Sequence, residues 1–276
     1  MEGLIIKNIS NDYLVKVGNQ KYVCKPRGKF RNKNITPLVG DRVIIDADNN
    51  YMLDILKRKN SLVRPSVANI DQALIVTSVK SPDFSTNLLD KLLVIISYNN
   101  IEPVICFTKL DLLNDREREE IDEYINYYES VGYKVVTNEN KNNFSDIFRN
   151  KLSVITGQSG AGKSSLLNML DKNLELKTNE ISKALGRGKH TTRHVELYEI
   201  NGGYVVDTPG FSAIDLSDIS KIAIRDNMKE MFDNLDDCKY RDCMHIKEDG
   251  CAVKEKVKDG QIKKSRYNNY KSFIER

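Results

Sequence analysis

Long uninterrupted apolar segments are absent from this sequence of 276 residues. A helix that crosses a bilayer needs about 20 consecutive apolar residues, so we expect no membrane-spanning segment and no membrane partner. Residues 1–4 also lack the basic start and the apolar stretch of a secretory signal peptide. These absences predict a cytoplasmic protein, and we expect it to be a monomer.

Cysteine is scarce, internal repeats are absent, and no low-complexity linker interrupts the chain. In the cytoplasm the five cysteines are expected to be thiols or metal ligands, because that compartment keeps thiols reduced. The length predicts two or three domains, and the lack of a linker should keep them close together. The apolar content of 40% is ample for a sizeable core in the largest domain.

The net charge of +4 is unevenly distributed. Residues 1–66 carry 13 basic and 6 acidic side chains, which gives +7, whereas residues 67–216 carry 16 and 21, which gives −5. Residues 217–276 carry 14 and 12, a balance of +2. Basic flanks around an acidic centre suggest that the flanks bind something anionic, although scattered surface lysines would give a similar total.

Residues 1–66 have the pattern of a small all-β domain. Short apolar or alternating runs are separated by turn-forming asparagine, aspartate and glycine, which is typical of short strands. Five such strands in this length predict a barrel of the OB type, whose loops commonly bind nucleic acid. The predicted strands are residues 4–9, 13–17, 21–24, 42–45 and 52–55.

A basic stretch at residues 25–33 lies between the third and fourth predicted strands. It holds five cations and one aromatic residue in nine positions. Such a stretch could follow a phosphate backbone while Phe30 stacks on a base. A mobile, solvated loop would have the same composition. We favour nucleic-acid contact, and the candidate RNA-binding residues are Lys25, Arg27, Lys29, Phe30 and Arg31.

Residues 67–216 alternate strand-like apolar runs with segments of helical spacing. This alternation predicts an α/β domain with a mainly parallel sheet, whose ligand lies at the carboxyl ends of the strands. Residues 217–276 are predicted to be helical. The predicted strands of the α/β domain are residues 73–77, 103–108, 133–137, 152–156, 195–200 and 204–206, and its predicted helices are residues 88–98 and 116–131.

A complete phosphate-binding motif occupies residues 157–164, between a predicted strand and a predicted helix. Its glycines let backbone N–H groups close around phosphate oxygens, and the helix start adds unpaired N–H groups and a positive dipole end. Lys163 is expected to reach the β- and γ-phosphates, and the Ser164 hydroxyl to ligate Mg²⁺. The predicted nucleotide contacts are Gly157, Gln158, Ser159, Gly160, Ala161, Gly162, Lys163, Ser164 and Ser165.

Residues 108–111, Thr-Lys-Leu-Asp, form a candidate guanine-recognition motif. The Asp111 carboxylate can accept hydrogen bonds from the ring N–H and the exocyclic amine of guanine, a donor pair that adenine lacks. We expect the stem of Lys109 to lie along the base, and Thr137 with Asn138 to form a second base-contacting loop. The predicted contacts in the motif are Thr108, Lys109, Leu110 and Asp111.

The guanine motif precedes the phosphate loop, whereas in a standard GTPase it follows. The domain is therefore predicted to be circularly permuted, which leaves the strand ends and the site spatially intact. Asp207 closes another predicted strand and is expected to hold Mg²⁺ through water, while the Gly210 N–H meets the γ-phosphate. Thr191 and Thr192 are both candidates for a second Mg²⁺-ligating hydroxyl.

Phe211 stands where a water-orienting glutamine often follows the Asp-Thr-Pro-Gly sequence. Turnover must therefore rely on another group or on a partner. We predict that His190, beside the threonine pair, orients or deprotonates the attacking water. His194 lies near enough in sequence to compete, and a solvated histidine without a catalytic role is the other interpretation of His190.

Three cysteines and one histidine lie within fourteen residues in the spacing Cys-x4-Cys-x-His-x5-Cys. Three thiolates and one imidazole match a closed tetrahedral zinc site, which stabilises a domain too small to fold on its own core. Cys24 and Cys106 lie in strand-like runs and are expected to be buried core thiols. The predicted ligands of one structural Zn²⁺ are Cys238, Cys243, His245 and Cys251.

The basic barrel, the permuted motif order, residues 157–165, the sequence Asp-Thr-Pro-Gly-Phe at 207–211 and the cysteine–histidine spacing together resemble the RsgA/YjeQ family. These are bacterial GTPases that depend on the small ribosomal subunit, and the resemblance covers essentially the whole chain. It implies a cytoplasmic GTPase that binds the small subunit through its ribosomal RNA, acts late in subunit maturation and is stimulated by the subunit. The implied domains are an OB-fold RNA-binding domain at 1–66, a permuted GTPase domain at 67–216 and a zinc-binding domain at 217–276.

Two other functions stay open at this point. One is a nucleotide-gated RNA-binding protein with negligible turnover of its own, which the missing glutamine keeps possible. The other is a permuted GTPase that acts on another RNA or on a membrane, which the absence of a membrane segment disfavours.

Overall fold

A computed structural model describes residues 1–32, 35–62, 66–139, 146–170, 195–207 and 216–275, without the side chains of Arg31, Asn32, Leu170 and Asp207. Its contacts separate into two units. Unit 1 comprises Met1–Ala73, Lys141–Thr156 and Ser164–Phe211, and unit 2 comprises Leu74–Asn140, Gly157–Lys163 and Ser212–Arg276. The domain boundaries at residues 66 and 216 stay predictions.

Five strands at the start of unit 1 close into a barrel in the order β1-β2-β3-β5-β4. The ladders are antiparallel except that between β3 and β5, which is parallel. This order and the closed barrel confirm the predicted OB-type fold. The strands are β1 (Glu2–Ile9), β2 (Asp12–Val17), β3 (Gln20–Pro26), β4 (Arg42–Asp46) and β5 (Tyr51–Ile55).

Alternation along these strands builds the barrel core. Inward-facing side chains are fully buried, because side chains of period two reach opposite faces of a strand; they include Ile5, Val15, Cys24, Val43 and Met52. The predicted burial of Cys24 is confirmed. After β3 the chain forms a short helix, α1 (Lys29–Asn32), and after β5 a ribbon of β6 (Ser61–Leu62) and β7 (Val67–Ala68).

The strands β8 (Gln72–Ser78), β9 (Glu102–Thr108) and β10 (Lys134–Thr137) follow in the order β10-β9-β8, with β10 parallel to β9. They alternate with two helices, α2 (Thr86–Tyr98) and α3 (Asp115–Ser130). The Ser85 hydroxyl caps α2, and α3 begins with a reciprocal capping box between Asn114 and Glu117. Residues 104–108 of β9 are all buried, including Cys106, as expected for a strand covered on both faces.

Unit 1 also contains β11 (Leu152–Gly157) up to Thr156, β12 (Leu197–Ile200) and β13 (Gly203–Asp207), with helix α4 (Lys163–Leu170) following β11 in the chain. β11 is parallel to β13, and β12 is antiparallel to β13. β12 and β13 form a hairpin. Its two connecting residues, Asn201 and Gly202, both have positive φ, which is the requirement of the tight turns that match strand twist.

The last part of unit 2 is helical, as predicted. Its helices are α5 (Lys221–Asp226), α6 (Lys229–Asp233), α7 (Ala252–Lys258) and α8 (Lys264–Ile274). The chain breaks between α5 and α6 because the Asn227 N–H closes α5 onto its last carbonyls and Met228 is extended. Among the described residues, no helix has the length and apolarity needed to span a membrane.

One buried guanidinium fastens these helices to the rest of unit 2. Arg266 on α8 is 1% exposed and lies between Asp90 on α2 and Glu230 on α6, at 2.5 Å and 2.6 Å. Tyr128 and Asn269 also donate to Asp90, at 2.7 Å and 2.6 Å. A fully hydrogen-bonded arrangement is what makes buried charge tolerable, because each unpaired group would have lost its hydration.

The pKa values of the two carboxyl groups shift in opposite directions beside the guanidinium. Burial raises the pKa of Asp90, against the opposing charge of Arg266. At Glu230 burial has the same tendency, but Arg266 and its two hydrogen bonds outweigh it and hold the pKa below its ordinary value. Both carboxyl groups therefore depend on the single cation between them.

Replacing Arg266 by methionine should lower the free energy of unfolding by about 3–5 kcal/mol, because two buried carboxylates lose their cation. Urea denaturation measures this loss. Arg116→Met removes an exposed partner of Glu120 and is the matched control, expected to change stability by less than about 0.5 kcal/mol. Equal stability of the two variants would show that the buried guanidinium does not hold unit 2 together.

Candidate nucleotide-binding site and metal cluster

The phosphate loop needs glycine for steric reasons that the structure makes specific. Gly157 has φ +133°, and a Cβ there would lie 2.0 Å from the carbonyl oxygen of Val76. Gly160 and Gly162 also have positive φ, +80° and +93°. Side chains at these positions would be strained or would collide with backbone, so the loop can keep its N–H groups turned inward only with glycine.

Lys163 folds back over the loop that precedes it. Its Nζ donates to the carbonyl oxygens of Gly157 and Gln158, at 2.8 Å and 2.7 Å. These bonds hold the ammonium group beside the loop backbone, where incoming phosphate oxygens would compete for it as stronger, charge-assisted acceptors. Ser164 and Ser165 are exposed in the first turn of α4, so the Ser164 hydroxyl is free of burial that would block a Mg²⁺ ion.

The predicted guanine motif contacts the phosphate loop directly. The Thr108 hydroxyl, at the end of β9, donates to the Ala161 carbonyl at 2.7 Å. Thr108 is 4% exposed, and a Cβ on Gly162 would lie 3.9 Å from its Oγ1. Two motifs separated by 53 residues are therefore in direct contact, although their order in the chain is reversed.

Lys109 and Asp111 project from the turn that follows β9. Lys109 has φ +64° and its Nζ donates to the carbonyl of Ser81. Asp111 is exposed in a 3-10 turn, Leu110–Leu112, whose first residue, Leu110, is buried. The burial of Leu110 anchors the turn and leaves Asp111 at the surface, and the contact of its carboxylate with a base stays a prediction.

The second base-contacting loop is less complete. The Asn138 N–H donates to the Phe107 carbonyl at 3.1 Å, which extends the β10–β9 ladder beyond Thr137. This bond uses the backbone donor that could have met a base oxygen. Asn138 lies beside the guanine motif at the carboxyl end of the strands, and its role toward the base stays a prediction.

Several predicted site residues lie outside what the structure describes. Asp207 ends β13, opposite Ile155 in the parallel strand β11, but only its backbone is described. Six further residues named in the sequence analysis fall outside the described ranges. They are the predicted catalytic and phosphate-contacting residues His190, Thr191, Thr192 and Gly210, the alternative histidine His194, and Phe211, which stands at the usual glutamine position.

The predicted metal ligands converge in the segment that connects α6 to α7. One donor atom from each of the four residues lies within 4.8 Å of the other three. The Nδ1 of His245 is 3.3 Å from the Cys251 Sγ and 3.6 Å from the Cys238 Sγ. A tetrahedral ion with ordinary zinc–sulfur and zinc–nitrogen bond lengths would place such donors about 3.5–3.8 Å apart. The cluster Cys238, Cys243, His245 and Cys251 therefore fits a metal ion.

The surroundings of the cluster favour ligation. The Nε2 of His245 lies 3.0 Å from the Met231 carbonyl, so Nε2 carries the proton and Nδ1 keeps a lone pair facing the sulfurs. Burial lowers the pKa of His245, which keeps the imidazole neutral. Burial also raises the pKa of Cys243 to about 12, and a bound cation would reverse this by stabilising the thiolate.

Glu248 organises the loop that carries His245, and the sequence pattern did not point to it. Its carboxylate accepts backbone N–H bonds from Met244, Ile246 and Lys247, at 2.8 Å, 2.8 Å and 2.9 Å. Burial acts to raise the pKa of Glu248, but these donors outweigh it and lower the pKa. Only the folded loop brings the three donors to one carboxylate.

The basic stretch differs from its prediction in one respect. Lys25 belongs to β3, and Arg27 and Lys29 are exposed. Phe30, however, is 3% exposed, so the prediction that it stacks on a base is wrong for this conformation. Placing Phe30 in helix α1 turns its ring into the core, because burying an aromatic ring removes a large apolar area from water.

Comparison with known proteins settles the family. A model of the RsgA GTPase matches residues 55–217, and a model of the RsgA N-terminal domain matches residues 2–52. The chain belongs to the RsgA GTPase family. It is 51% identical to small ribosomal subunit biogenesis GTPase RsgA 2 of Oceanobacillus iheyensis, over 99% of this chain and 96% of that protein. It is 48% identical to small ribosomal subunit biogenesis GTPase RsgA of Enterococcus faecalis, over 99% and 94%.

Solved structures of RsgA-like proteins share the fold. YloQ, described as a circularly permuted GTPase, is 39% identical with a TM-score of 0.84, over 99% of this chain and 93% of that one. YjeQ from Thermotoga maritima is 35% identical with a TM-score of 0.85, over 99% and 97%. These matches confirm the circular permutation and make the chain a GTP-hydrolysing enzyme, so negligible turnover is disfavoured.

Replacing Asp111 by asparagine should weaken GTP binding at least about 100-fold, because the amide removes a two-bond acceptor and adds donors that clash with those of guanine. Calorimetric titration with GTP measures this change. Asp115→Asn, in the first turn of α3, is the control and should bind GTP like the parent. Unchanged affinity of the Asp111 variant would remove Asp111 from the base site.

Replacing Cys243 by serine should reduce the bound metal from one ion per chain to none and lower the melting temperature, because the ion links segments of the C-terminal helices. Elemental analysis of the purified protein measures the metal content. Cys24→Ala, in the barrel core, should keep the full metal content. A metal-free parent protein, or a Cys243 variant with full metal content, would contradict the assignment.

Proposed function

We propose that this protein is a GTPase of small ribosomal subunit biogenesis, which binds the subunit and its ribosomal RNA late in maturation. The observation that carries the proposal is the hydrogen bond from Thr108 to Ala161, which joins a guanine motif to a phosphate loop. The relatives named as small ribosomal subunit biogenesis GTPases supply the biological setting. As such a factor, the protein would act in the cytoplasm.

In the proposed site, the loop backbone and Lys163 bind the phosphates, and Asp111 selects guanine. Ser164, Asp207 and either Thr191 or Thr192 would hold Mg²⁺, which would supply charge neutralisation at the phosphates. The Gly210 N–H senses the γ-phosphate. His190 orients the attacking water when the subunit is bound, because Phe211 offers no polar group for this purpose.

The proposed RNA contact is the basic surface of the barrel. Lys25, Arg27 and Lys29 are exposed, and each phosphate they neutralise would release a counterion and add to the affinity. Arg31 belongs to the proposed surface on sequence grounds alone. Phe30 is omitted from it, because its ring is buried.

The proposed ion of the C-terminal cluster is zinc, in a structural role. Three thiolates and one imidazole are the donor set that zinc prefers in closed sites. All four ligands belong to protein side chains, which leaves no open position of the kind that catalytic zinc requires. The ion would therefore act by holding the C-terminal helices in one arrangement.

Purified small subunits should stimulate the GTP turnover of this protein by at least about tenfold, because an arrangement that lacks the water-orienting glutamine needs a partner to complete it. Phosphate release with and without subunits measures this. Lys163→Ala should abolish turnover in both conditions, and His190→Ala should lose the stimulated rate. An unstimulated parent protein would contradict subunit-dependent function, and a normally stimulated His190 variant would contradict the role of that histidine.

A further inference from the structure

One edge of β1 pairs with β2, and the other edge has two different partners. Residues Glu2–Leu4 of β1 pair with β4, whereas Lys7 forms an antiparallel bridge with Glu196. A bulge between Ile5 and Lys7 separates the two regions, and such bulges bend a strand and redirect its edge. The redirected end of β1 therefore takes up the residues that lead into β12.

A backbone hydrogen bond forms this bridge, and one side-chain contact reinforces it. The Asn8 N–H donates to the Val195 carbonyl at 3.5 Å. The Lys7 ammonium is 2.8 Å from the Glu196 carboxylate. Backbone and side chain thus act at the same two positions, so the start of β12 is attached to the barrel and not only to its own hairpin.

The second strand of the barrel holds the other end of the same hairpin. Lys16 on β2 donates to Glu199 on β12 at 2.5 Å, and its ammonium lies 5.5 Å above the ring of Tyr204 on β13. The hydrogen bond to Glu199 raises the pKa of Lys16. One lysine therefore contacts both strands of the β12–β13 hairpin, which makes the hairpin and the barrel a continuous body within unit 1.

The β12–β13 hairpin lies in the chain between two segments that are predicted to contact Mg²⁺ and the γ-phosphate. Its first strand follows the segment that contains Thr191 and Thr192, and Glu196 is four residues beyond the second threonine. Its second strand ends at Asp207, three residues beyond Tyr204. The hairpin thus connects the two segments that are proposed to meet Mg²⁺ and the γ-phosphate.

We propose that Lys7 and Lys16 are positioning residues that couple the barrel to the γ-phosphate side of the GTP site, through the β12–β13 hairpin. A displacement of either end of the hairpin on hydrolysis is passed to β1 and β2, and RNA bound to the barrel restrains the hairpin in return, because coupling between two sites is reciprocal. The inference rests on the proposed function, in that it assumes Asp207 and a neighbouring threonine act at the phosphates.

The exposure of these side chains suits coupling better than fold stability. The side chains of Lys7 and Glu196 are 35% and 31% exposed, that of Lys16 is 18% exposed and that of Glu199 is 61% exposed. Ion pairs that keep contact with solvent add little to stability. Their removal should therefore leave the fold intact while loosening the connection between hairpin and barrel.

Two variants separate coupling from direct RNA contact. Lys7→Ala with Lys16→Ala removes the barrel side of the ion pairs but also takes positive charge from a surface near RNA. Glu196→Gln with Glu199→Gln removes the hairpin side and leaves the barrel cations in place. Arg42→Ala, which breaks an exposed pair with Glu2 on β1, is the matched control.

The first measurement is GTP turnover with purified small subunits. Both double variants should lose at least about fivefold of the stimulation that the subunit gives the parent, in the range of ordinary coupling between sites, and Arg42→Ala should keep it. The charge swap Lys7→Glu with Glu196→Lys should recover part of what Lys7→Glu alone loses. If only the lysine double variant loses stimulation, the lysines contact RNA directly and the proposal is overturned. Full stimulation of both double variants would also overturn the proposal.

The second measurement needs no ribosome. Amide hydrogen exchange of residues 6–9 and 12–17 should differ between the GDP-bound parent and the parent with a non-hydrolysable GTP analogue, and both double variants should lose the difference. Identical exchange in the two nucleotide states of the parent would overturn the coupling. If subunits fail to stimulate the parent while the exchange difference is present, the proposed function fails and the coupling stands.

Discussion

The helical end of the chain depends on one buried positive charge. Arg266 binds Asp90 on α2 and Glu230 on α6 at once, and Tyr128 and Asn269 extend the network by donating to Asp90. The backbone carbonyl of Met231, the neighbour of Glu230, accepts a hydrogen bond from the Nε2 N–H of His245. The metal cluster and the guanidinium network therefore share helix α6, so an ion in the cluster and the cation of Arg266 constrain the same element.

Circular permutation changes which segments are covalently linked. Noncovalent tertiary contacts join segments that the permuted chain does not link directly. The Thr108 hydroxyl bonds to the phosphate loop, and the β12–β13 hairpin bonds to the barrel through Lys7 and Lys16. The first contact joins two motifs that are 53 residues apart in the chain. The second joins the barrel to the hairpin that ends at Asp207.

Much of the fold follows from local patterns, and its departures have physical causes. Strands in the barrel and the helices α2 and α3 lie within two or three residues of their predicted bounds, because alternation, capping residues and turn residues are local signals. Phe30 was mistaken for a stacking residue because its basic neighbours suggested a loop, whereas the folded chain buries its ring. Residues 217–276 are helical as predicted, but no local signal predicted the break between α5 and α6, where Met228 is extended.

The sequence by itself determined the chemistry: a glycine-rich loop with Lys163, a carboxylate at Asp111 suited to guanine, a Cys3His metal cluster, and an order of motifs that requires permutation. These are properties of residue type and spacing, which short-range geometry translates directly into strands, turns and ligand sets. Only the tertiary structure decided that Arg266 would join three helices, that Glu248 would gather three backbone donors, and that β1 would bend to meet Glu196. The contacts of Arg266 and of β1 join residues that are far apart in the sequence, and no local pattern predicts which distant residues will meet. The contacts of Glu248 depend on the conformation of a loop, which forms only in the folded protein.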